Sequence, residues 1–237
     1  MRRSTNLKIV YEDEWIIAVD KPAGLLTMST GHPDETTAYS LVRDYMQERI
    51  FIVHRLDRDT SGLLIFAKDA ETKEALQSNW QEAVLERKYV ALLEGRIEDE
   101  EGWIETWLYE NDKSMKVHCY PIDIRDLEDA REGRCTYAKR NRWQFSATYC
   151  RRIESYQIDR KDYTLVEFEL ETGRKNQIRV HSQWIGHPVA GDRKYGAQSN
   201  PIGRLALHAR TLSFIHPWTG KTMKFTSEVP RDFRQSR

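Results

Sequence analysis

Residues 50–67 read IFIVHRLDRDTSGLLIFA, a polar nonapeptide from His54 to Gly62 enclosed by two short aliphatic and aromatic runs. Runs of that composition favour strands, so the nonapeptide is a connection between two core strands, where a rigid scaffold can hold reactive groups. It carries two carboxylates, two guanidiniums, an imidazole and two hydroxyls. Such density beside a core is costly unless the charges are paired or needed. In an extended chain Arg55, Asp57 and Asp59 share one face, and cationic neighbours keep a partly buried Asp57 ionised. An ionised carboxylate in a dry pocket can act as a nucleophile or stabilise an oxocarbenium-like sugar. Composition alone slightly favours the plainer account, a surface turn fixed by ion pairs.

Outward from this stretch the chain alternates between the two periodicities. Leu7 to Asp20 gives two short β-rich runs divided by Glu12-Asp13-Glu14, and Lys21-Pro22-Ala23-Gly24 breaks the second. Thr37 to Ile50 places Ala38, Leu41, Val42, Tyr45 and Met46 on one helical face. Ala70 to Glu86 has helical composition, with Ala75, Leu76, Trp80 and Ala83 on one stripe, and Lys88 to Leu93 reads as a strand. The acidic stretch that follows, with its tryptophans, suggests a hairpin. Tyr163 to Leu170 alternates as a half-buried strand, Gln177 to Trp184 begins a helix, and Leu205 to Ile215 alternates again. No repeat, linker or domain boundary interrupts this order. The expectation is a single α+β domain over residues 1–237, a largely antiparallel mixed sheet flanked by helices.

Length and charge bound the function. A chain of 237 residues can bury a sizeable core. The net charge is zero, but it is segregated: Glu94 to Glu132 holds thirteen acidic and five basic residues, whereas Arg193 to Arg237 holds nine basic and two acidic. One face can therefore be positive, which permits RNA without requiring it. No apolar run approaches the roughly 20 residues of a membrane span. Two arginines near the start have no apolar stretch behind them, which argues against a secretory signal and for the cytoplasm. Cys119, Cys135 and Cys150 fit neither a disulfide framework nor a CxxC site, and read as reduced thiols. No phosphate-binding glycine loop and no clustered metal ligands stand out.

The residues themselves are also recognisable. HRLDRDTSGLLIFAKD resembles the signature of the RluA-type family of RNA pseudouridine synthases. YEDEWIIAVDKPAGLLT is similar to that family's opening segment and ERKYVALLEG to its tyrosine strand. TGRKNQIRVHSQWIGHPVAGDRKYG and LALHARTLSFIHPWTGK resemble its arginine segment and its close. Five segments in the right order span nearly the whole chain. The resemblance implies the pseudouridine synthase fold with an active-site cleft across the sheet. It implies Asp57 as the catalytic aspartate, Tyr89 as the tyrosine against the target uracil with a base role, and Arg179 as the arginine that pairs with the aspartate. It further implies Arg55 as the residue that fills the gap left by a flipped base, and Leu207 as an apolar residue beneath that base. Asn176 stands where many relatives have histidine, which puts substrate detail in doubt. The resemblance opens on the family's catalytic domain, so the expectation is a chain without the small RNA-binding domain of many relatives, whose substrate choice rests on the catalytic domain. The basic tracts Lys139-Arg140-Arg142 and Arg151-Arg152 are candidates for that choice.

The implied reaction isomerises uridine to pseudouridine within a ribosomal or transfer RNA stem-loop, by a cytoplasmic monomer without metal or cofactor. Two alternatives stand beside it. One is metal-dependent phosphoryl transfer at an Asp57/Asp59 pair, which needs further carboxylates around the ion. The other is a non-catalytic RNA-binding protein on the same fold.

Overall fold

The computed structural model describes residues 7–31, 35–78 and 80–234. In chain order the strands are β1 (Lys8–Glu12), β2 (Ile16–Lys21), β3 (Phe51–Ile52), β4 (Ser61–Ala67), β5 (Val84–Glu94), β6 (Glu101–Asn111), β7 (Lys116–Tyr120), β8 (Gln144–Ile158), β9 (Lys161–Leu170), β10 (Leu207–Ile215) and β11 (Thr222–Thr226). The helices are α1 (Ala38–Met46), α2 (Ala70–Ser78), α3 (Trp80–Ala83), α4 (Leu127–Arg131), α5 (Thr136–Arg140) and α6 (Gln177–Trp184). Contacts divide the chain into two compact units, Met1–Tyr89 with Leu207–Pro230 and Val90–Ala206 with Arg231–Arg237.

In the first unit β2 pairs antiparallel with β1 and β4, and β3 pairs antiparallel with β4. The parallel pair is β4 with β10, in the register Ser61↔His208 and Gly62↔Ala209; β11 extends β10 antiparallel. Every residue of β4 is buried, as expected for a strand covered on both faces. One core cluster joins Ile17, Val19, Leu64 and Phe66 to Ala38, Val42 and Met46 of α1, three residues of the apolar face expected from Thr37–Ile50. Helix α1 starts on a capping box, with Thr37 Oγ1 accepting from the Ser40 amide at 3.0 Å and Ser40 Oγ accepting from the Thr37 amide at 2.9 Å.

The second unit is an antiparallel meander. β8 pairs with β9 and β6, and β6 pairs with β7. The expected hairpin after Glu94 is β6–β7. The acidic stretch then continues into α4, and the basic run after it forms α5; Ala130, Cys135 and Ala138 bury against Trp107. Apolar residues separated by charge hid those two short helices. The expected helix Ala70–Glu86 also differs: β5 begins at Val84, which packs against the core cluster of Ile16, Leu63 and Phe214. Burial there overrides helical composition.

Candidate active site

The polar nonapeptide is not extended throughout. It runs without regular structure from Val53 to Asp57 and turns over Arg58 and Asp59, with the Thr60 amide donating to the Asp57 carbonyl at 3.2 Å. The turn replaces the shared face expected of Arg55, Asp57 and Asp59, because the chain must reverse to enter β4.

Both neighbours of Asp57 are clamped through their backbones. The Thr27 hydroxyl donates to the Leu56 carbonyl at 2.9 Å and accepts from the Leu56 amide at 3.2 Å. One buried side chain thus satisfies both peptide groups of the buried residue before Asp57. On the other side, the Arg58 carbonyl accepts from Lys21 Nζ at 3.0 Å and from the Gly24 amide at 3.0 Å. Lys21 is wholly buried, and its Nζ also donates to the carbonyls of Leu25 at 2.7 Å and Pro22 at 3.1 Å. Burial pushes the Lys21 ammonium down to about 8, against the opposing pull of the Asp59 and Asp57 carboxylates. A buried ammonium thus ties the Pro22–Leu25 turn to the aspartate loop, a role that the run VDKPAG, read only as a strand break, did not reveal.

The start of β4 explains the small residues of the motif. Ser61 Oγ lies 2.9 Å from His208 Nδ1. Gly62 has φ +111°, and a Cβ there would lie 2.2 Å from the Ala209 carbonyl oxygen, so only glycine lets β4 and β10 meet. His54 is structural: Nε2 accepts from the Ile65 amide at 3.2 Å, and the ring packs 5.2 Å from Trp80. Burial, with some help from Arg87, pushes the His54 imidazole down to about 4.

Asp57 itself is half-buried, Arg55 is exposed, and Leu207 is buried at the start of β10. Tyr89 lies on β5 against the cluster that contains Leu56. Its phenol is raised above the ordinary value by burial; Arg87 opposes this, and the Asp57 carboxylate adds to it. The Asp57 carboxylate thus disfavours the Tyr89 phenolate, and Tyr89 rests as a neutral phenol.

Arg179 lies in the second unit, on α6. Its Nε and Nη2 donate to the two oxygens of buried Asp192 at 2.6 and 2.8 Å, a fork-to-fork pair. The guanidinium sits 5.0 Å over the Tyr195 ring. Asn176, in the left-handed conformation at φ 55°, accepts from Arg179 Nη1 at 3.3 Å and donates to the Tyr195 hydroxyl at 3.0 Å. Asparagine tolerates that conformation well, so the departure at this position supplies a bridge within the arginine's support. Two more motif residues are structural. Gln177 donates to the Ala147 carbonyl at 3.0 Å. His181 is enclosed by the hydroxyls of Thr148 at 2.9 Å, Ser146 at 2.9 Å and Thr106 at 3.0 Å. Among the described residues no group of three or more His, Cys, Asp or Glu side chains converges as metal ligands, and no helix is long and apolar enough to cross a membrane.

Comparison with known proteins sets this geometry in a family. The model of a family described as RNA pseudouridylate synthase matches residues 15–184, a span that includes Asp57, Tyr89 and Arg179. The chain is 31% identical to tRNA pseudouridine synthase C of Salmonella typhimurium over 97% of its own length and 88% of that protein's. It is 35% identical to an uncharacterized RNA pseudouridine synthase, YlyB, of Bacillus subtilis, over 97% of this chain and 71% of the relative. Among solved structures, human RNA pseudouridylate synthase domain containing 1 superposes with a TM-score of 0.72 at 25% identity, covering 96% of this chain and 86% of that one. With a family match across most of its length and relatives of that name over nearly all of it, the chain belongs to the RNA pseudouridylate synthases, isomerases that act on RNA.

Proposed function

We propose that Asp57 is the carboxylate on which the isomerisation depends, with Tyr89 and Arg179 as its partners in the reaction. Arg55 and Leu207 then serve the flipped nucleotide. The N-glycosidic bond of a uridine breaks, the uracil turns over while held, and C5 bonds to C1′ of the same ribose. No redox or hydrolytic step is involved. The observation that carries this reading is the clamping of the aspartate loop. Thr27 fixes the residue before Asp57, and Lys21 and Gly24 fix the carbonyl after it. A carboxylate held on a fixed backbone meets the geometric demand of a reacting group, whereas a solvated surface turn has no need of a buried lysine beneath it.

The substrates in this reading are stem-loops of transfer or ribosomal RNA, modified in the cytoplasm by a monomer whose residues 1–237 act as one catalytic domain. The relative in Salmonella typhimurium is named for transfer RNA, and a relative in Nitrosomonas europaea, 35% identical over 95% of this chain and 63% of its own, is named for the large ribosomal subunit. Pseudouridine mapping of both RNA classes, from cells with and without the gene, tests the assignment. Sites that vanish without the gene identify the target, and an unchanged map with inert recombinant protein favours an RNA-binding protein instead.

A further inference from the structure

Residues of the second unit form a cavity open to solvent, of about 240 Å³, lined by Tyr109, Glu110, Asp112, Arg142, Arg174 and Lys175, among others. At roughly 30 Å³ per water, it has room for a small anion with part of its hydration. Three cations face two carboxylates there, and the pairing is uneven. Arg142 Nη2 meets Asp112 at 2.7 Å and Lys175 pairs with Glu110. Both pairs are open to solvent, with Arg142 59% and Asp112 72% exposed. Such pairs are worth about 1 kcal/mol or less and exchange readily.

Arg174 differs from the other two. It is half-buried, its Nε donates to the Phe145 carbonyl at 3.0 Å, and among the described residues no carboxylate forms an ion pair with it. Burial lowers its pKa. A guanidinium fixed along one edge still presents N–H donors suited to a tetrahedral oxyanion. Arg142 enters the cavity from a left-handed backbone, φ 57°, a conformation in which a non-glycine residue is strained. Its guanidinium lies 5.6 Å over the Tyr109 ring, and Nη2 is 3.4 Å from that residue's hydroxyl. Sequence reading noted Arg142 only as part of a basic tract and gave Arg174 no role.

We propose that this cavity binds one phosphodiester of the RNA substrate, with Arg174 as the fixed cation and Arg142 and Lys175 turning to it from their exposed carboxylates. The inference rests on the RNA reading above and adds a backbone contact that positions substrate without reading its sequence.

The test uses the full-length protein and the RNA on which the wild type makes pseudouridine. Affinity is measured against salt for the wild type, Arg142→Gln, Arg174→Gln, Arg174→Lys and Arg96→Gln. Arg142→Gln and Arg174→Gln are expected to weaken binding about tenfold near physiological salt, and to lower the slope of log K against log salt by about 0.7 to 0.9. Arg174→Lys, which keeps the charge, should retain most of the slope. Arg96→Gln, an exposed arginine of the same unit, should leave both quantities unchanged. Arg174→Gln risks loosening the chain at Phe145, but Arg142 is exposed, so its variant keeps the test sharp. Unchanged affinity and slope in Arg142→Gln, or an equal loss in Arg96→Gln, would overturn the subsite. If the wild type modified no RNA at all, the functional reading would fall first; wild-type turnover with unaltered variants sinks the subsite alone.

Discussion

A lysine with no exposure to solvent keeps its charge only if its surroundings replace water, and Lys21 does so with three carbonyls, one of them on the residue after Asp57. Lys21→Met keeps the aliphatic stem and strands those carbonyls without the ammonium. The expected loss is about 3 kcal/mol of stability, seen as a lower urea midpoint, with kcat falling more than affinity for RNA; a variant as stable and active as wild type would remove Lys21 from the account. Tyr89→Phe separates packing from proton chemistry, because the ring stays and only the oxygen goes. A drop in kcat of about 100-fold or more at near-normal affinity is expected if the hydroxyl takes part in proton transfer, and a near-wild-type rate would leave Tyr89 as a packing residue. The aspartate loop was legible as a connection between two strands because a polar nonapeptide stands between two apolar runs, whereas the role of Asp57 rests on the family resemblance. Lys21 was not, since a lysine before proline reads as the end of a strand, and only the fold shows what lies around its tip. His54 and His181 illustrate the reverse: both sit in chemically suggestive motifs, and both proved to be neutral, hydrogen-bonded residues of the scaffold, His181 buried and His54 partly so.

Elements hold the site by a few contacts that local sequence specifies well and by others that it cannot. The capping box of α1 is local, and Thr37→Ala should cost about 1 kcal/mol in thermal or urea unfolding without altering the reaction rate of the folded enzyme. The approach of β4 to β10 is not local, for Gly62 and Ala209 are far apart in the chain. Gly62→Ala would place a methyl carbon 2.2 Å from a backbone oxygen in a left-handed conformation, so soluble expression should be lost or the melting temperature should fall steeply. A variant that melts like wild type would contradict the close approach. The strand Lys161–Leu170 was readable from the apolar residues of Tyr163–Leu170, and the helices Ala38–Met46 and Gln177–Trp184 from the 3.6-residue period in each. The start of β5 was not, because Gln81, Glu82 and Ala83 favour a helix while Val84 answers to a core assembled from distant strands.

For the whole molecule, the segregated charge leaves a neutral chain able to meet RNA, and the buried histidines set its acid limit. His54 is pushed down to about 4 and His181 to about 3, both by burial, from an ordinary value near 6.5. Between those limits the unfolded chain binds protons that the folded chain refuses. Stability is therefore greatest above pH 6.5 and falls as pH drops towards 4. Urea midpoints measured across that range should decline on acidification, and a midpoint that is flat or rises would contradict the neutral, water-shielded assignment of both residues. The central claim is that Asp57 carries the isomerisation, and it is tested most directly by Asp57→Asn, which keeps the shape of the side chain and removes its charge. The measurement is pseudouridine formed in the RNA that the wild type modifies, alongside affinity for that RNA. Turnover reduced below detection with affinity within a few-fold of wild type is the predicted result; an Asp57→Asn enzyme that still forms pseudouridine at a comparable rate would contradict it.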